Sequence, residues 1–215
     1  MTGPTWYWSA KGGQGTTVTA VAVAVRSARA QVTYLIGHDA DPYLVLGMGV
    51  PCAPEHDVAR FGVNELRLST VADLNSEAMA GWAQQAEAEG ATLIVDGGRT
   101  APPRHWPGDS VLVTRNDYVA MAHYVKGHHR ADYAVLVLES GRSLTERDVK
   151  GTLAVPVEVI VRHTAAITRT IDAGTFGDRL PATIEDDLNG ARPVYQPVQL
   201  LPPPRTRRRR SVAGC

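Results

Sequence analysis

Apolar residues fall in short unbroken runs, separated by longer stretches with helical spacing. Leu93-Ile94-Val95, Val111-Leu112-Val113 and Ala134-Val135-Leu136-Val137-Leu138 show no alternation with polar residues. A strand that is apolar on both sides belongs in the middle of a parallel sheet with helices on both faces. The pattern predicts a strand at 5–10, a Gly-rich turn, a helix at 16–30 and a strand at 32–36. The segment 37–62, with Pro42, Pro51 and Pro54, reads as loop. Residues 64–69 alternate and read as a strand, and 76–89 reads as a helix capped by Asn75 or Ser76. Strands at 92–95, 110–114, 133–138 and 157–161 then alternate with helices at 117–126, 144–152 and 165–172, the last closing the unit. The fold class expected is therefore α/β, a mostly parallel sheet with helices on both faces. Trp6 and Trp8 share one face of the first strand and are expected in the core, and Trp82 is expected to pack from its helix.

Charge divides the chain in two. The formal net charge of the 215 residues is zero, but Arg205, Arg207, Arg208, Arg209 and Arg210 crowd the end. Removing those five from the 22 Lys and Arg leaves 17 against 22 Asp and Glu, a mildly acidic body of net −5. We divide the chain into a domain at 1–189 and a Pro/Arg-rich tail at 190–215, expected to be disordered because it has little apolar area to bury. Pro202-Pro203-Pro204 would project the arginines outward. Five guanidiniums suit phosphates on DNA, without sequence preference; the missing apolar face makes a membrane the weaker partner. Cys52 and Cys215 lie in no CxxC spacing, which argues against zinc, and His123, His128 and His129 do not make a metal site. Residues 1–4 carry no basic region followed by an apolar run, so a cytoplasmic protein is expected, with the tail pointing to the nucleoid.

The segment that carries chemistry is Trp8-Ser9-Ala10-Lys11-Gly12-Gly13-Gln14-Gly15-Thr16-Thr17. It follows a predicted strand and opens a predicted helix. Glycines there let several N–H groups turn inward, and the helix N-terminus adds partial positive charge, which together make a nest for phosphates. Two acidic segments follow strands, Asp39-Ala40-Asp41-Pro42 and Asp96-Gly97-Gly98. Each reads either as turn chemistry or as carboxylates that position a hard cation beside the loop.

The loop resembles the deviant Walker A motif of the ParA/MinD family of P-loop ATPases, KGGxGKT. The resemblance covers about residues 5–180 and includes the strand Leu93-Ile94-Val95-Asp96 and the ending Val155-Pro156-Val157 to Ile171-Asp172-Ala173-Gly174. It implies ATP and Mg2+ as cofactors, held by Gly12, Gly13, Gln14, Gly15, Thr16 and Thr17. Thr17, Asp39 and Asp96 would serve the metal, and Lys11 and Asp39 would be catalytic, Lys11 reaching the nucleotide of a partner in a homodimer. Two positions depart from the pattern. Thr16 stands where the family has the lysine that contacts the β- and γ-phosphates, and Glu139 where relatives often have an asparagine that reads adenine. The function implied is a nucleotide-binding partition or positioning protein with weak or absent ATP hydrolysis. It would dimerise, bind DNA through Arg205 and Arg207 to Arg210, and engage a protein partner. The alternative is a non-enzymatic scaffold or localisation protein that keeps the fold. A dehydrogenase on a similar sheet is disfavoured, because the turn lacks GxGxxG spacing.

Overall fold

The computed structural model describes residues 3–50, 57–61, 63–127 and 130–189. Among them an eight-stranded sheet runs in the order β3-β4-β2-β5-β1-β6-β7-β8. The strands are β1 (Thr5–Trp8), β2 (Thr33–Gly37), β3 (Asp57–Phe61), β4 (Asn64–Thr70), β5 (Thr92–Asp96), β6 (Asp109–Arg115), β7 (Tyr133–Leu138) and β8 (Val157–Arg162). All neighbouring strands are parallel except β3, which lies antiparallel to β4 at one edge. The helices are α1 (Thr16–Ala28), α2 (Asp41–Leu46), α3 (Ser76–Glu89), α4 (Tyr118–Gly127), α5 (Glu146–Thr152), α6 (Ala165–Asp172) and α7 (Ala182–Asn189).

The unbroken apolar runs are explained by two cores, one on each side of the sheet. Side chains alternate across a strand, so neighbours in one run go to opposite faces. Tyr7, Leu35, Ile94, Val111, Val113, Val135 and Val137 join α1, α2, α6 and α7. Trp6, Trp8, Tyr34, Ile36, Val95, Leu112 and Leu136 join the core covered by α3, α4 and α5. Both tryptophans of β1 are fully buried and keep their indole donors satisfied. Trp6 Nε1 donates to Thr100 O at 2.8 Å and Trp8 Nε1 to Ser110 Oγ at 3.0 Å. Trp82 packs against the second core and lies 5.6 Å from the Tyr34 ring.

Three elements correct the sequence reading. The predicted loop at 37–62 contains α2 and β3. Proline in the first turn of a helix removes no intrahelical hydrogen bond, so Pro42 starts α2 instead of excluding it. Strand β3 lies at the sheet edge, where charged residues such as Asp57 and Arg60 are tolerated on a strand. The third element, α7, follows the predicted last helix; it buries Ile184 and Leu188, and its Asp187 accepts from Arg162 N at 2.8 Å. Of the two caps considered for α3, Asn75 serves, accepting from Ala78 N at 2.9 Å. Cys52, His128, His129, Cys215 and the tail arginines lie outside the described residues.

Candidate functional site: a glycine loop facing three carboxylates

Central strand β1 ends at Trp8, and the chain then crosses the carboxyl edge of the sheet to reach α1. Gly13 and Gly15 take φ of 74° and 90°, in the left-handed region, so the backbone turns tightly into α1, whose first residues line the opening and whose first N–H groups lack intrahelical partners. Space beside Gly13 is open. The loop is fastened at both ends. Ser9 N donates to Gly98 O at 2.9 Å, and its hydroxyl sits 2.9 Å from Lys11 O and 3.0 Å from Gly98 O. Gln14 is buried, with Oε1 accepting from Arg115 N at 2.8 Å, which pins the loop to the end of β6. Its side chain therefore braces the loop from behind, a role the motif alone did not reveal.

Asp39 and Asp96 come from the ends of two other strands and open onto the same pocket of about 420 Å³ as Gly12 to Thr17, together with His38, Asp41 and Arg99. Asp96, at the end of β5, is 3% exposed. Its carboxylate accepts from the Thr17 side chain and from Gly98 N, the latter at 3.1 Å. Burial pushes its pKa up to about 6; the Thr17 and Gly98 hydrogen bonds oppose this, and the Asp39 and Asp41 charges add to it. Asp39 is exposed and accepts from Asp41 N at 3.0 Å, so it braces the start of α2 while opening onto the pocket.

Lys11 and Thr16 contribute no free cation. Thr16 is buried and uncharged. Lys11 Nζ lies 2.7 Å from Asp117 Oδ2, at the residue before α4 in the same chain. The Lys11 ammonium and the Val119 and Ala120 N–H groups hold the Asp117 carboxyl below the usual range. Glu139 pairs with Arg142 at 2.5 Å and Arg115 at 3.5 Å, and the backbone N–H and carbonyl of Glu139 are held by the buried Asn116 side chain at 2.9 and 3.0 Å. Beside the loop, a smaller pocket of about 150 Å³ is lined by Gly15, Val18, Arg115, Val137, His163 and Ile167, among others.

The donors present fit a polyphosphate with a hard cation. Backbone N–H groups and a helix N-terminus suit the phosphates, and the Thr17 hydroxyl beside Asp96, with Asp39 across the opening, offers oxygens only. Among the described residues no three His, Cys, Asp or Glu converge into a metal cage. Among the same residues, no helix is long and apolar enough to cross a membrane.

The sequence matches no protein-family model and no curated protein. Solved structures do match. The MinC:MinD cell division protein complex of Aquifex aeolicus aligns with a TM-score of 0.62 and 13% identity, over 90% of this chain and 98% of that one. The septum site-determining protein MinD complexed with Mg-ADP, from Pyrococcus horikoshii OT3, gives 0.60 and 16%, over 88% and 94%. A ParA family ATPase from Chlorobium tepidum TLS gives 0.59 and 13%, over 87% and 96%. At these identities the likeness is one of fold: the chain folds as these MinD and ParA structures do.

Proposed function

We propose that the protein is a nucleotide-binding partition or positioning protein that takes ATP with Mg2+ at the 12–17 loop and hydrolyses it slowly or not at all. The observation that carries this is the meeting of Gly12 to Thr17 with Asp39 and Asp96 in one pocket, with Thr17 hydrogen-bonded to Asp96. In this reading the loop N–H groups hold phosphates, and Thr17, Asp39 and Asp96 hold the metal directly or through water. Mg2+ would neutralise phosphate charge and orient the terminal group. The full-length likeness to MinD and ParA folds supports the positioning role.

Thr16 sets the expected rate. Removing a positioned cation from a transferring phosphoryl group costs on the order of 100-fold or more. Calorimetric titration with ATP and Mg2+ tests the reading: the wild type should bind, and Thr16→Lys should bind more tightly and hydrolyse faster. Turnover by the wild type near 1 per second, an ordinary enzymatic rate, would refute slow hydrolysis.

A homodimer with the loops at its interface is part of the same reading. For Lys11 to reach a second subunit it must first leave Asp117. The second reading, a scaffold without nucleotide, is favoured by that ion pair and by the buried Thr16, because neither side chain offers a cation to phosphate. Absence of nucleotide binding in the same titration would establish it.

A further inference from the structure

Three carboxylates, Asp39, Asp41 and Asp96, open onto the loop pocket. A polyphosphate entering it meets like charge unless a cation offsets them, and Mg2+ is one such source. Position 16 is Thr where the motif that the loop resembles has a lysine, and Lys11 is engaged by Asp117. One strong base remains among the lining residues. Arg99 follows the Asp96-Gly97-Gly98 turn, and its Cδ lies 3.7 Å from where a Cβ on Gly12 would stand.

The backbone carrying Arg99 is fastened to the phosphate loop itself. Gly97 N donates to Tyr7 O at 2.8 Å, Ser9 N to Gly98 O at 2.9 Å and Thr100 N to Gly97 O at 2.7 Å. The Arg99 side chain is exposed and has no ion pair or hydrogen bond among the described residues. By contrast Arg67, Arg115, Arg142 and Arg162 each hold a carboxylate. A guanidinium on a fixed base, free at its head and beside a glycine nest, suits the planar fork geometry of phosphate oxygens.

We propose that Arg99 is the phosphate-contacting cation of this protein, supplying from the β5 loop a charge that Thr16 at the start of α1 does not offer. The proposal rests on the nucleotide reading above and adds a binding residue that the loop motif does not contain.

The test is calorimetric titration of the full chain with ATP and with ADP, each with Mg2+. It compares the wild type, Arg99→Ala, Arg99→Lys and the double variant Arg99→Ala/Thr16→Lys. Circular dichroism and thermal melting confirm that each is folded. Loss of a charge-assisted phosphate contact should weaken ATP binding by roughly ten- to a hundred-fold in Arg99→Ala. Arg99→Lys should retain part of the affinity, and Thr16→Lys should restore it in the Arg99→Ala background. If the wild type binds and Arg99→Ala binds as tightly, Arg99 is a surface arginine and the proposal is overturned while the nucleotide site stands. If the wild type binds neither nucleotide, the site reading itself falls and takes this role with it.

Discussion

A methyl group on Gly97 would sit 2.1 Å from the Trp6 indole nitrogen and 2.6 Å from the Thr100 carbonyl oxygen. Those two atoms form the hydrogen bond that satisfies the buried Trp6, so neither can retreat without leaving a buried donor unpaired. Gly97→Ala should destabilise the fold by about 1–3 kcal/mol, the usual cost of overpacking, and should displace Asp96 and Arg99 on either side of it. Urea denaturation measures the first effect, and an unchanged midpoint would contradict this account. At this scale the sequence disclosed what chemistry requires and concealed what packing decides. That Gly12 to Thr17, Asp39 and Asp96 would line one pocket was legible because each follows a predicted strand. The inward turn of Gln14, the Lys11–Asp117 pair and the position of Arg99 beside Gly12 depend on residues 101, 106 and 87 (99 minus 12) positions apart, and no local pattern announces them.

At the scale of elements, the link between the glycine loop and α4 is sensitive to acid. Lys11 keeps the Asp117 carboxyl below its ordinary range, so the folded state binds that proton less readily than the unfolded chain. The resulting stabilisation is fully present above the unfolded pKa of about 4 and is lost as pH falls through the lowered folded value. Lys11→Met should bring the Asp117 titration, followed by carboxyl NMR, up towards the ordinary range. An ordinary Asp117 titration in the wild type would show that the pair does not persist in solution. The central strands were readable as short unbroken apolar runs, and α1, α3 and α4 as longer stretches with helical spacing. Helix α2 was hidden by Pro42, which signals a break in a helix interior but is accommodated in a first turn. Strand β3 was hidden for another reason: at an edge, only one neighbour needs to be satisfied, so its composition follows solvent more than sheet.

For the whole molecule, the described body ends with α7 at Asn189, and the Pro/Arg segment lies beyond it. Helix α7 packs on β8 and α1 through Ile184 and Leu188, so truncation at Gly190 removes the basic tail without touching these contacts. If DNA binding resides in the tail, fluorescence anisotropy on two unrelated duplexes should show equal affinities and a log–log salt slope near about −4 for four or five phosphates neutralised. The truncated chain should lose most of that affinity; equal binding by both forms would assign DNA contact, if any, to the body. The sheet order has a consequence for synthesis. Thr5 pairs with Ile94, 89 residues later (94 minus 5), and Trp8 with Leu112, 104 residues later (112 minus 8). At the usual pace of translation, roughly 5–20 residues per second, the first strand leaves the ribosome and waits roughly 5 to 20 seconds for its partners. During that interval two tryptophans destined for full burial face solvent or a chaperone. The strand made first is therefore held on both sides only once residue 115 has been made, and β7 and β8 extend the sheet from there.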